Sequence, residues 1–198
     1  MVACSSDQAM SGDDPRDFEE APDPLLVLGL AVVVYGALVM AALFWLWCRE
    51  RTGVVAEQSI GRFGPWAASG AGLAIGVACA AAYTKARRAQ RGLNELHVIV
   101  EHMFARWDER AGIAFAILAA FAEELFFRLA VQDAMGLTGS VIVYVLLNIR
   151  AVGLRWAAFT CAHAVALGGL VELGFGLLGS TSAHAVFNYL ILRSPHRS

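Results

Sequence analysis

The sequence predicts an all-α protein: a polytopic transmembrane helix bundle of about six spans, with one amphipathic helix at the membrane surface. Three observations predict it. Of 198 residues, 58% are hydrophobic and only 16% charged, and the mean hydropathy is +0.59, a balance foreign to soluble domains. Apolar runs recur along the chain, several of them at the length needed to cross about 30 Å of hydrocarbon. Basic residues gather between alternate runs, the asymmetry expected of a multi-pass protein.

The elements follow in order. Residues 1–24 carry Asp7, Asp13, Asp14, Asp17, Glu19, Glu20 and Asp23 and no apolar stretch, which predicts a disordered acidic tail rather than a cleavable signal. Residues 25–198 then form a single membrane-embedded domain. Residues 25–47 hold no charge and make the clearest span. Residues 66–83 are mostly Ala and Gly, and Gly72 and Gly76 within them permit a close approach to a neighbouring helix inside the bundle. Over residues 93–107, Leu93, Leu96, Val100, Met103, Phe104 and Trp107 recur at helical spacing among charges, the pattern of a helix lying on the membrane surface. Four further apolar segments cover residues 112–131, 137–149, 156–171 and 174–192, of which the second is short for a span.

Taking all six as spans with the N-terminus inside puts eleven of the 15 Lys and Arg in the cytoplasm and three outside (Arg49, Arg51, Arg62), with Arg128 inside a span. Both termini are therefore expected to be cytoplasmic. A net charge of −2 leaves no basic excess for phosphates, which argues against nucleic acid as a partner. The four cysteines, Cys4, Cys48, Cys79 and Cys161, are far apart and read as packing residues, not as a disulfide framework or a cysteine zinc site. Lys85 is the only lysine, and with abundant Ala and Gly this skew suggests a bacterial source, hence the inner (cytoplasmic) membrane.

Polar side chains inside apolar segments are costly and usually face the bundle interior. Here they cluster late in the chain. Glu124 and Arg128, at i and i+4, share a helix face and can neutralise each other, whereas Glu123 points about 100° away and needs other company. Phe159 and His163 lie one turn apart on a later segment, and His184 and Asn188 one turn apart on the last. A carboxylate, two imidazoles and an amide at similar depth could meet in one cavity, a set able to activate water and stabilise an oxyanion. His97, Glu101 and His102 are not a zinc motif, because an offset of five positions sets the histidines roughly 140° apart; a solvated face is expected there. Ser180, Thr181 and Ser182 are read as capping the last helix.

The order Glu123-Glu124-x-x-x-Arg128, Phe159-x-x-x-His163, His184-x-x-x-Asn188 on successive apolar segments resembles the three motifs of the CPBP family, the type II CAAX prenyl endopeptidases and their bacterial relatives in bacteriocin processing, abortive infection and immunity. The resemblance covers about residues 111–192. It implies that Glu123 is a general base activating water with help from His163, that His184 and Asn188 bind the oxyanion, and that Glu124 and Arg128 hold the site in shape. No cofactor is favoured. Zinc held by Glu123, His163 and His184 is the alternative, disfavoured because Asn188 is a poor zinc ligand and a natural oxyanion donor.

The expected function is that of an intramembrane endopeptidase, glutamic-type or metal-dependent, acting on a membrane-tethered or secreted protein or peptide. Its compactness is similar to that of the bacterial myxosortase branch. The alternatives are a non-catalytic membrane scaffold or immunity protein and, less favoured for want of an inverted repeat, a small proton-coupled transporter.

Overall fold

A computed structural model describes residues 22–89, 91–152 and 156–193, with side chains omitted for 91–96 and 150–152. The acidic tail lies outside the described residues. These residues form helices and no strand: α1 (Pro24–Cys48), α2 (Val54–Gln58), α3 (Gly64–Ala89), α4 (Arg91–Phe104), α5 (Glu109–Glu124), α6 (Asp133–Val152), α7 (Ala157–Leu170) and α8 (Gly176–Leu192). Two helices widen to π-type turns at their C-terminal ends, α5 over Leu125–Gln132 and α7 over Val171–Phe175.

Local sequence explains where the helices begin. Asp23 accepts from the Leu25 amide at 2.9 Å and Pro24 follows as the first helical residue, so α1 starts on a capped end that lacks one orphan donor anyway. Asp108 caps α5 in the same way, accepting from the Ala111 amide at 2.7 Å.

Glycines set the reversals. At Gly136 (φ 70°) the chain leaves the α5 direction and returns as α6; at Gly174 (φ 88°) and Gly176 (φ 66°) it leaves α7 and returns as α8. Side chains with a Cβ rarely adopt these angles. The second reversal is clasped by the segment before α3: the Arg62 amide donates to the Gly174 carbonyl and the Leu178 amide to the Ser59 carbonyl, each at 2.9 Å.

The helix α3 packs on α8 through a stripe of Ala68, Gly72, Gly76, Ala80 and Tyr83. A Cβ on Gly72 would collide with the Gly179 carbonyl oxygen, and one on Gly76 with that of Ala183. The close approach expected from these two glycines is therefore present. At one end of the bundle Arg49 and Arg51 both grip Asp133, each at 2.8 Å. Arg51 above all, and Arg49 with it, holds the Asp133 carboxyl below the usual range. At the other end Tyr189 donates to Glu109 at 2.9 Å, and the rings of Phe104, Trp107 and Phe115 tie α4 to α5.

Among the described residues, three helical stretches are long and apolar enough to cross a membrane: Pro24–Cys48, Gly64–Ala89 and Ala157–Leu192, the last folded on itself at its glycines. Their outer faces carry exposed Leu, Val, Phe and Trp, notably along α1. This is the surface of a protein whose solvent is lipid. Three expectations need correction. His97 is buried against Tyr83, not solvated, because the α4 face that carries it packs on α3. Ser180 to Ser182 lie within α8, which starts at Gly176, and the Ser180 hydroxyl bonds the Leu177 carbonyl instead of capping. Cys48 and Cys161 are exposed on the outside of the bundle.

The α3 to α8 seam yields a stability test. Gly76→Leu should cost about 3 kcal/mol in unfolding measurements in lipid or detergent, whereas Gly70→Leu, on the open side of the same helix, should cost nothing.

Candidate functional site

The site is built from the centre outward. Glu124 and Arg128 are fully buried, and the Arg128 Nε donates to Glu124 Oε2 at 3.0 Å. The guanidinium reaches one further helix, α6, through its Nη1 and its face, while its Nη2 has no partner among the described residues. Its Nη1 donates to the Ser140 hydroxyl on α6 at 3.1 Å, and that hydroxyl donates to the Phe127 carbonyl at 2.8 Å. Its face lies 5.7 Å from the Tyr144 ring. An arginine buried in an apolar bundle is tolerable only when its charge is answered in this way.

The other oxygen of Glu124 holds the last helix. Glu124 Oε1 lies 2.9 Å from His184 Nδ1, and since an ionised carboxylate only accepts, Nδ1 carries the proton. This turns His184 Nε2 toward Glu123, 3.8 Å from its Oε2. Both imidazoles are nearly inaccessible, while the Glu123 side chain retains 22% of its exposure.

The residues singled out in the three motifs come together. Glu123, Phe159, His163, His184 and Asn188 line one cavity of about 160 Å³, with Tyr144, Asn148 and Thr160 completing its polar wall. His163 is sandwiched between aromatic rings, stacked on Phe159 at 5.9 Å and against Phe187 at 4.4 Å, and its ring stands perpendicular to that of His184 at 5.2 Å. Its Nε2 is buried and has no protein partner among the described residues. Glu124 and Arg128 sit behind the cavity, not in its wall.

A second, more apolar cavity of about 260 Å³ adjoins the first through Glu123, Asn148, Trp156, Phe187 and Asn188. Tyr83, Val100, Phe104, Ile191 and Leu192 line it, which puts it at the end of the bundle where the amphipathic α4 lies. A polar track also continues away from the site, where Gln132 Nε2 donates to the Gly168 carbonyl at 3.1 Å and to Glu172 Oε1 at 2.8 Å.

The sequence reading missed several of these residues. Ser140 and Gln132 are polar groups in or beside apolar segments, and the rule that flagged Glu123 would have flagged them. Tyr35 on α1 lines the larger cavity beside Glu123, and no motif pointed to it. Glu123, His163 and His184 share a wall, and among the described residues no three His, Cys, Asp or Glu side chains group as metal ligands. No family model, curated protein or solved structure matches this chain.

The two adjacent carboxylates should respond differently to neutralisation. Glu124→Ala leaves Arg128 buried without its counter-charge and should cost about 3 to 5 kcal/mol in unfolding measurements. Glu123→Gln, at the cavity surface, should cost less than about 1 kcal/mol; equal losses would contradict the division of labour drawn here.

Proposed function

We propose that the protein is an intramembrane endopeptidase of CPBP type that hydrolyses a peptide bond of a membrane-tethered or secreted protein or peptide. The observation that carries this reading is the shared cavity, into which one carboxylate, two imidazoles and one carboxamide converge from α5, α7 and α8. Water in that cavity attacks the carbonyl carbon of the scissile bond. Glu123 takes the proton, and His163, with a buried and unanswered Nε2, holds the water.

As the new C–O bond forms, the carbonyl oxygen becomes an oxyanion that accepts from the Asn188 amide and from His184. With Nδ1 committed to Glu124, His184 donates through Nε2 only as the doubly protonated ring, a cation set between two carboxylates. Collapse of the tetrahedral intermediate breaks the C–N bond, and the proton held by Glu123 passes to the leaving nitrogen. The products are a carboxylate and an amine. The rings of Phe159, Phe187 and Trp156 in the cavity wall limit the water around the reacting groups, which strengthens each of these polar contacts.

In this reading six helices cross a bacterial cytoplasmic membrane with both termini inside. Support comes from the basic residues: Lys85, Arg87, Arg88 and Arg193 belong to the end at which the larger cavity lies, and Arg49, Arg51 and Arg62 to the other. A proton-coupled carrier is the second reading, favoured by the polar track through Gln132 to Glu172.

Co-expression with secreted or tethered proteins encoded nearby tests the proposal. Wild type should give a specific cleavage that Glu123→Gln and His163→Ala, at equal membrane abundance, reduce at least a hundredfold. Unchanged processing with any biological phenotype intact would make the protein a scaffold, and proton flux in proteoliposomes without cleavage would make it a carrier.

A further inference from the structure

The first helix carries little that is chemical. Between residues 25 and 47 it holds a single hydroxyl, that of Tyr35, and no charge. Most of its length faces outward, with Ala31, Ala42 and Leu46 its only buried residues. Tyr35 differs from its neighbours in being half-buried, and the helix packs on α5, the same helix that α8 packs on from another side.

The phenol ring is fixed by an edge-to-face contact with Phe115 of α5, centroids 5.9 Å apart and planes at 69°. Its hydroxyl and the Glu123 carboxylate interact electrostatically at this cavity edge. Both residues line the larger cavity. A phenol in lipid needs a partner for its O–H, and the cavity that Tyr35 lines offers the carboxylate that the proposed chemistry uses.

We infer that Tyr35 is a positioning residue for Glu123, holding the carboxylate from α1 while His184 approaches it from α8. The inference rests on the hydrolytic reading for its consequence, but the contact itself does not. A carboxylate at the edge of a cavity has several rotamers, and only one presents a lone pair to a water beside His163. A hydroxyl anchored by Phe115 selects among them. Misplacing a reacting group by about 1 Å costs catalysis heavily even when nothing else changes.

Tyr35→Phe tests this with the least disturbance, since it keeps the ring and its Phe115 contact and removes only the donor. In full-length protein reconstituted in lipid, kcat should fall about tenfold. KM should stay within about twofold and thermal stability should be unchanged. Infrared difference spectroscopy of wild type against Glu123→Gln isolates the Glu123 carboxyl band, and that band should shift in Tyr35→Phe.

A wild-type kcat, a loss confined to KM, or an unmoved Glu123 band would each overturn the inference. The two levels of the account fail separately. Activity retained by Glu123→Gln sinks the hydrolytic reading. A dead Glu123→Gln beside a fully active Tyr35→Phe sinks only the role of Tyr35, and the infrared band tests the contact even if no cleavage is found.

Discussion

The pairing of Glu124 with Arg128 sets the terms on which this bundle packs. Two opposite charges one helical turn apart, both sealed from solvent, cancel most of the cost of taking either out of water, and further hydrogen bonds from other helices reduce what remains, although the Arg128 Nη2 has no partner among the described residues. Ser140 on α6 takes one guanidinium nitrogen, and His184 on α8 takes the second carboxylate oxygen. A pair formed within one helix thereby fixes the rotation of two others, and the orientation of His184 toward Glu123 is a consequence of that arrangement.

Small residues make the arrangement reachable. Without hydrophobic driving force between helices in lipid, close backbone contact has to supply the attraction, and Gly72 and Gly76 let α3 lie against α8 at carbonyl distance. Gly168 serves a comparable purpose on α7. A Cβ there would collide with the Leu137 Cδ1 and stand 2.8 Å from Gln132 Oε1 and 3.2 Å from Arg128 Nη1, so the bare backbone leaves room for an α6 side chain and the polar groups beside it. The reversal at Gly174 and Gly176 brings His163 and His184 face to edge, although only 20 residues separate them in sequence.

Much of this was legible in the residues themselves. Long uncharged runs, the Gly72 to Gly76 spacing and the i, i+4 relation of Glu124 to Arg128 follow from helix geometry alone, and each described helix except the short α2 falls where an apolar or amphipathic run was expected. The convergence of Glu123, His163, His184 and Asn188 was readable because polar groups in lipid seek one another. What a linear reading lacks is the rotation of one helix about its axis relative to the next. Tyr35 could not be assigned to Glu123 without knowing that α1 lies on α5, and His97 looked solvated because its burying partner, Tyr83, lies on another helix.

In the proposed hydrolysis Glu123 and His163 act on one water as a unit. Single-turnover cleavage rates for Glu123→Gln, His163→Ala and the double variant test it most directly. Residues that serve a single step are strongly non-additive, so the double variant should be no slower than the slower single variant. Losses that multiply, or a single variant at the wild-type rate, would contradict it.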